Sequence, residues 1–169
     1  MEKRPRIKIN LKKSDLFIEI FTWCSLVLLW LITILNYNQL PLTIATHFNL
    51  AGKADGFGSK SELFTLPIIG TVIFFIITIL NKYPHIFNYP VNITNANALT
   101  QYTMATRMLR YLKLVILLIF LFITIATIRM ANNQNGDLSL FFVPLCIITI
   151  LAPTIFFIIK AFKKNQSTE

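Results

Sequence analysis

The feature that most limits what this chain can become is the length of its apolar runs. Four of them approach the ~20 residues that a helix needs to cross the hydrocarbon layer of a bilayer. The first, LFIEIFTWCSLVLLWLITIL, extends from Leu16 to Leu35 with Glu19 as its one acid, and at about 1.5 Å per residue it reaches roughly 30 Å. The second, FTLPIIGTVIFFIITIL, Phe64 to Leu80, is short alone. It is preceded by SKSE, which reads as a capping box with Ser59 and Glu62 in the reciprocal roles, so its helix starts outside the lipid. The third, Leu112 to Met130, has Lys113 and Arg129 near its ends, where long basic side chains snorkel. The fourth, Leu138 to Ile159, contains Pro144 and Pro153, which are tolerated where neighbouring groups satisfy the freed carbonyls. The first run is full length and lacks a small-residue cleavage site after it, so it is expected to be retained as a span.

Lys and Arg fix the expected orientation. Six precede Leu16, and further ones are Lys82, Arg107 and Arg110 in the second connection and Lys160, Lys163 and Lys164 at the C-terminal end. The segment between spans one and two has only Lys53 and Lys60, balanced by Asp55 and Glu62. By the positive-inside rule both termini are cytoplasmic and that segment faces outward. The net charge of +9 then follows from topology beside anionic leaflets and requires no nucleic acid. The expected fold is an all-α integral membrane protein with four transmembrane helices. Its parts are a basic tail (1–15), span one (16–35), an extracytoplasmic hook (36–63), span two (64–80), a cytoplasmic connection with an amphipathic helix (81–111), span three (112–130), an outer turn (131–137), span four (138–160) and a tail (161–169). Cys24 and Cys146 fall inside spans, where packing among apolar groups is expected of a thiol rather than a disulfide.

The hook changes character three times. In TIATHFNL, Ile44, Thr46, Phe48 and Leu50 alternate with Thr43, Ala45, His47 and Asn49, the period of a strand with one apolar face. AGKADGFG follows, whose glycines suit the positive backbone angles of tight turns, and SKSE opens span two. In the second connection Pro84 and Pro90 favour extended geometry, and Thr94 or Asn95 can cap a helix from Ala96 onward. Arg107, Arg110 and Lys113 form a basic stripe on it, expected either to rest on anionic lipid of the inner leaflet or to belong to a solvated cytoplasmic extension of span three.

No pattern in the hook completes a known catalytic or ion-binding loop. A phosphate loop needs glycine directly before lysine, but Ser59 separates Gly58 from Lys60. Placing Asp55, Gly56 and Glu62 at the fifth, sixth and twelfth positions of a calcium loop leaves Ala51 and Lys53 where the first and third ligands belong. His47 and His85 are expected on opposite sides of the membrane, so neither a shared metal nor a cofactor is anticipated, and Ser59 reads as a cap rather than a nucleophile. Glu19 sits one turn inside span one. It reads either as a carboxylate snorkelling among inner-leaflet cations or as an intramembrane proton or cation site. Thr71, Thr78, Thr124 and Thr149 read as helix–helix glue.

LPLTIATHFNLAGKADGFGSKSE, Leu40 to Glu62, resembles the signature of the N-terminal domain of unknown function of SdpI-type bacteriocin immunity and signalling proteins. NYPVNITNANALTQYTMATRML, Asn88 to Leu109, is similar to segments after the second span of stand-alone members. The resemblance implies a bacterial cytoplasmic-membrane protein concerned with protection against a secreted toxic peptide or with signalling. It matches Pro41, His47, Asn49, Gly52, Asp55, Gly56, Gly58, Ser59 and Lys60, none with an implied catalytic role. This chain has four expected spans where the immunity proteins have more.

The expected activity is therefore non-catalytic recognition of a peptide, lipid or partner protein through the hook. Phe48 and Phe57 would supply aromatic contact, His47 and Asp55 a polar pairing, and the glycines close backbone approach. The bilayer itself is an expected partner, and homo-oligomerisation is left open. The alternatives are a transporter or channel component using Glu19 and the proline-broken fourth span, and a structural subunit of a larger membrane complex.

Overall fold

The computed structural model describes residues 4–132 and 138–166. Its elements, in chain order, are α1 (Lys13–Tyr37), β1 (Thr43–Phe48), β2 (Ala54–Ser59), a 3-10 turn (Lys60–Phe64), α2 (Thr65–Leu80), a second 3-10 turn (Pro84–Ile86), α3 (Ala98–Ala131) and α4 (Phe142–Gln166). The described residues hold four helices long and apolar enough to cross a membrane.

The helix ends follow local chemistry. At α1 the Asp15 carboxylate accepts from the Lys12 backbone N–H at 2.8 Å, placing negative charge where the helix dipole favours it. The SKSE capping box is present, with Ser59 N–H donating to Glu62 Oε1 at 3.2 Å. It opens the 3-10 turn that feeds α2, so the continuous helical segment is Lys60–Leu80. Before α3, Thr94 and Asn97 exchange backbone-to-side-chain hydrogen bonds of 2.9 and 3.3 Å. The N-cap is Asn97 and the helix starts at Ala98, so neither Thr94 nor Asn95 holds the cap position expected of it, and Thr94 braces the turn before it. The 34 residues of α3 extend about 51 Å, so the amphipathic segment and span three form one unbroken helix. The fourth helix starts at Phe142 rather than Leu138 and continues through Pro153. Pro144 falls in its first turn, where a missing N–H costs no helical bond. Of the expected outer turn, residues 133–137 lie outside the described residues.

Helix α3 is the spine, packing on α1, α2, α4 and β1. One core joins Leu26, Leu29, Phe74 and Leu117, bordered by Trp30, Phe120 and Leu121. A second joins Leu40, Ile44, Leu63 and Ile128 and fixes the hook onto the C-terminal end of α3. Trp30 Nε1 donates to Thr71 Oγ1 at 2.9 Å, a polar tie between α1 and α2 of the kind lipid-embedded helices use. Helix α4 packs on α3 alone among the four helices' stronger contacts, and most of its side chains face outward. Outward faces elsewhere carry Phe17, Leu28, Ile69 and Phe75, all exposed. Such a continuous apolar exterior suits lipid rather than water. Cys24 is among these exposed positions and Cys146 is half-buried, both as free thiols. Cys24 thus departs from the expected internal packing.

Two expectations about the hook are corrected. It is a two-stranded antiparallel hairpin, β1 with β2, so ADGFGS forms a strand where a turn was expected. The strict alternation of β1 also fails, because Ile44 and Ala45 are both buried while Thr46 and His47 are exposed. Register irregularities between Ala45 and His47 and between His47 and Phe48 explain this. A bulge inserts an unpaired residue and re-aims the side chains that follow.

The N-terminal tail is strapped to the second connection. Arg4 Nη1 donates to Phe87 O at 2.6 Å, its guanidinium lies 5.7 Å from the Tyr89 ring centroid, and Tyr102 donates to Pro5 O at 3.2 Å. The Tyr89 hydroxyl donates to Pro84 O at 2.9 Å. Burial pushes its pKa up, keeping that proton in place. The run containing Pro84 and Pro90 is thus ordered, with a 3-10 turn at its start.

Candidate functional site

Most of the residues in the hook's sequence signature hold one another in place. Asn49 organises the turn: its Oδ1 accepts from the N–H of Ala51 and Lys53 at 2.9 and 3.1 Å. Its backbone carbonyl takes the Gly52 N–H and its own N–H reaches Lys53 O, both at 2.8 Å. Among the described glycines only Gly52 has a positive φ, +78°, and its carbonyl accepts from Leu138 N–H at 2.8 Å. The turn is thereby tied to the segment that leads into α4. Gly56 stands opposite His47, and a Cβ there would come within 2.9 Å of His47 Cβ. At Gly58 a Cβ would occupy the place of the Glu62 carboxylate that completes the cap. Gly56 and Gly58 therefore serve by leaving room, at Gly58 for the movable end of the Glu62 side chain, rather than by unusual backbone angles. Lys60 N–H donates to Leu42 O at 2.9 Å, and its ammonium sits 4.8 Å from the Tyr37 ring centroid, a cation–π contact. Pro41 is exposed ahead of β1.

What the scaffold leaves outward is a smaller set. His47 Nδ1 lies 2.5 Å from Asp55 Oδ1, with both side chains largely exposed. Leu42, Leu50 and Phe57 are 80%, 78% and 61% exposed. Phe48 is half-buried and faces a cavity between the hairpin and the helices. Replacing Asn49 with alanine removes two hydrogen bonds from the turn, each worth about 1 kcal/mol. The expected result, measured by hydrogen exchange, is faster exchange at Ala51 and Lys53 with α1 protection unchanged.

At the other end of the bundle lies a cluster of charges. Arg107 Nε and Nη2 meet Asp15 Oδ1 and Oδ2 at 2.8 and 3.2 Å, a two-point pair. Lys113 Nζ donates to Glu19 Oε2 at 2.7 Å and to Thr78 Oγ1 at 2.9 Å. Its ammonium also lies 4.5 Å from the Phe74 ring centroid. Arg110 Nε stands 3.2 Å from Glu19 Oε1, close enough for attraction but without hydrogen-bond alignment. Three helices meet here: α1 through Asp15 and Glu19, α2 through Thr78, and α3 through the three cations.

This overturns the expectation that Arg110 and Lys113 lie along a lipid surface. Their side chains are 8% and 0% exposed because the acids on α1 draw them inward, and an unpaired charge at that depth is costly. Arg107, at 28%, keeps a partial face outward. Glu19 is neither free nor solvated at the surface but shared between two cations. Asp15 and Thr78 join the cluster without having been singled out from the sequence as ligands. Asp15 and Glu19 are four apart and therefore share a helix face, as do Arg107, Arg110 and Lys113 at spacings of three. That spacing carried the signal for their pairing.

A bundle of four potential spans with a clamped hairpin at one end and a buried ion cluster at the other defines a small polytopic membrane protein. The model of a domain of unknown function, DUF1648, matches residues 24–71, from α1 through the hairpin into α2. An uncharacterised protein of Archaeoglobus fulgidus is 32% identical over 145 residues, covering 79% of this chain and 79% of that protein. The chain carries a DUF1648 domain over those residues and belongs to one family with this archaeal protein. No solved structure matches it.

Proposed function

We propose that this protein is a non-catalytic receptor in a cell membrane, with both termini cytoplasmic, that recognises a peptide or partner protein on the outer side through its hairpin. The observation that carries this reading is the division of labour within the hook. Asn49, Gly52, Gly58, Ser59 and Glu62 are spent on internal bracing, and they hold His47, Asp55, Phe57 and Leu50 outward on a fixed frame. Fixed exposed groups bind without an ordering cost, and an aromatic beside a polar pair is a common contact composition. Ser59, the serine that a hydrolytic reading would need, is engaged in the cap, which supports a non-catalytic role.

The basic residues support the orientation. Lys82, Arg107, Arg110 and the tail residues Arg4 to Lys13 lie at the end opposite the hairpin, as the positive-inside rule requires for an outward hook. An immunity or signalling role of the SdpI type is the form of recognition that the sequence resemblance favours. The pairing of Glu19 with both Arg110 and Lys113 favours a fixed structural acid over one that loads and releases a cation. This weighs against the transporter reading.

The test is site-specific photo-crosslinking in living cells that express the protein. With benzoylphenylalanine at position 57, a discrete adduct is expected, and Asp55→Ala or His47→Ala should remove it at equal membrane abundance. Adducts indifferent to both substitutions, or none from positions 50 and 57, would sink the proposal.

A further inference from the structure

Beneath the hairpin a cavity of about 310 Å³ opens between β1, the 3-10 turn, α3 and the start of α4. Its walls include Ile44, Phe48, Leu63 and Ile123, and Thr124 and Thr127 of α3 also line it. Threonines in the helices of this protein regularly turn their hydroxyls back to the carbonyl four residues earlier, as Thr22, Thr33, Thr71, Thr106 and Thr154 do at 2.6–2.9 Å. That habit removes an unpaired donor from apolar surroundings. Thr127 instead donates to Ala45 O at 3.4 Å. Thr124, 1% exposed, has no partner among the described residues. A buried hydroxyl without a partner is costly, and it marks a place where an acceptor belongs.

The cavity continues sideways. It shares Ile123, Phe142 and Val143 with a groove of about 410 Å³ between α3 and α4, whose other walls include Ile147 and Leu151. The described residues lining this groove are apolar apart from the Cys146 thiol, and Ile147 and Leu151 are about half exposed, so the groove opens toward lipid. The ionisable groups lining the cavity are His47 and Glu62, and no lysine or arginine is among its described lining residues. An anionic head therefore finds no counter-charge there. Thr124 lies seven residues before the end of α3, about 10 Å below it. A phosphodiester held at the bilayer surface does not reach that depth.

We propose that this cavity and groove bind a neutral single-chain amphiphile, with an uncharged oxygen of its head accepting a hydrogen bond from Thr124 and its hydrocarbon tail lying between α3 and α4. One compact head and one chain match a small cavity that continues into one groove. The proposal stands apart from recognition on the hairpin's outer surface, because it uses the inner face; of the outward set only His47 also borders the cavity.

The experiment uses the full chain in phosphatidylcholine nanodiscs with a monoacylglycerol carrying a diazirine in its acyl chain, and labelled residues are mapped by mass spectrometry. Saturable labelling is expected at Phe142, Val143 and Ile147, above the non-saturable background at the lipid-facing Leu28. Thr124→Val keeps the shape and removes only the hydroxyl, and should weaken apparent affinity roughly fivefold. Val143→Trp should abolish saturable labelling, with unchanged Leu28 background reporting an intact bundle. The corresponding fatty carboxylate at pH 8 and a diazirine phosphatidylcholine should both label more weakly than the monoacylglycerol. Labelling at Phe142 that never saturates, equal saturable labelling by the charged or two-chain probe, or an unchanged affinity in Thr124→Val overturns the proposal.

Discussion

Alanine at Glu19 is expected to cost about 3–5 kcal/mol of unfolding free energy, the range for removing one partner of a buried ion pair. The size comes from what is left behind. Lys113, with no exposed side-chain surface, and Arg110, with 8%, lose their shared carboxylate in a setting where water cannot replace it. Lys113 keeps only Thr78 and the face of Phe74, which solvate an ammonium poorly compared with a carboxylate. Glu19→Gln should fall between wild type and alanine, since an amide oxygen still accepts from Lys113 but carries no charge. The double variant Glu19→Leu, Lys113→Met removes both the acid and its nearest cation, so it should recover part of the loss. Asp15→Ala should cost less than Glu19→Ala because Arg107 is 28% exposed and can find solvent. Reversible unfolding in mixed micelles measures all four. A Glu19→Ala loss below about 1 kcal/mol, the scale of an exposed pair, would mean that the cluster is wetter or looser than its geometry states.

The layout of the bundle was legible from the sequence because lipid thickness imposes run length, and run length needs no knowledge of neighbours. The capping box was legible for a related reason: Ser59 and Glu62 act on backbone groups within three residues of each other. What was not legible were the pairings between distant segments. The run ADGFGS has three residues that sheets disfavour, so it reads as a turn. It becomes a strand because β1 supplies the ladder and because Gly56 and Gly58 make space for His47 and Glu62. Lys113 at the edge of an apolar run reads as a snorkelling residue until α1 places Glu19 2.7 Å away. Thr124 looked like the other intramembrane threonines. Of the four singled out from the sequence, Thr71 and Thr78 do tie helices together and Thr149 bonds to its own helix. Only the surroundings of Thr124 reveal that its hydroxyl is unspent.

Helix α3 links the two ends of the molecule. Its N-terminal half carries the cations of the ion cluster, and its C-terminal end carries Thr127 and Ile128 against the hairpin. Helix α1 follows the same plan, from Asp15 and Glu19 at one end to Leu40, just past its other end, in the core below the hairpin. The cluster therefore fixes how α1 and α3 run side by side, and that register decides where the hairpin's floor lies. A loosened cluster should reach the hairpin as altered seating of Ile44 and Ala45, without any direct contact between the two regions.

Alanine at Gly52 is expected to damage the hairpin far more than alanine at Gly58, although both glycines belong to one short motif. Gly52 has φ +78°, where an L side chain costs on the order of 1–2 kcal/mol. Its Cβ would also collide with the Leu138 carbonyl, a backbone atom that cannot rotate away. The backbone must shift, and the 2.8 Å bond from Leu138 N–H to Gly52 O is lost with it. The combined loss should reach roughly 3 kcal/mol when that hydrogen bond is included. At Gly58 the obstacle is the far end of the Glu62 side chain, which can swing out at the expense of one capping bond, about 1 kcal/mol. Hydrogen exchange separates the two. Gly52→Ala should release protection across β1 and β2 and at Leu138, whereas Gly58→Ala should affect mainly Ser59 to Ser61. Equal effects, or a larger one at Gly58, would show that the turn is not anchored on Leu138 and that the hairpin is held by its strands alone.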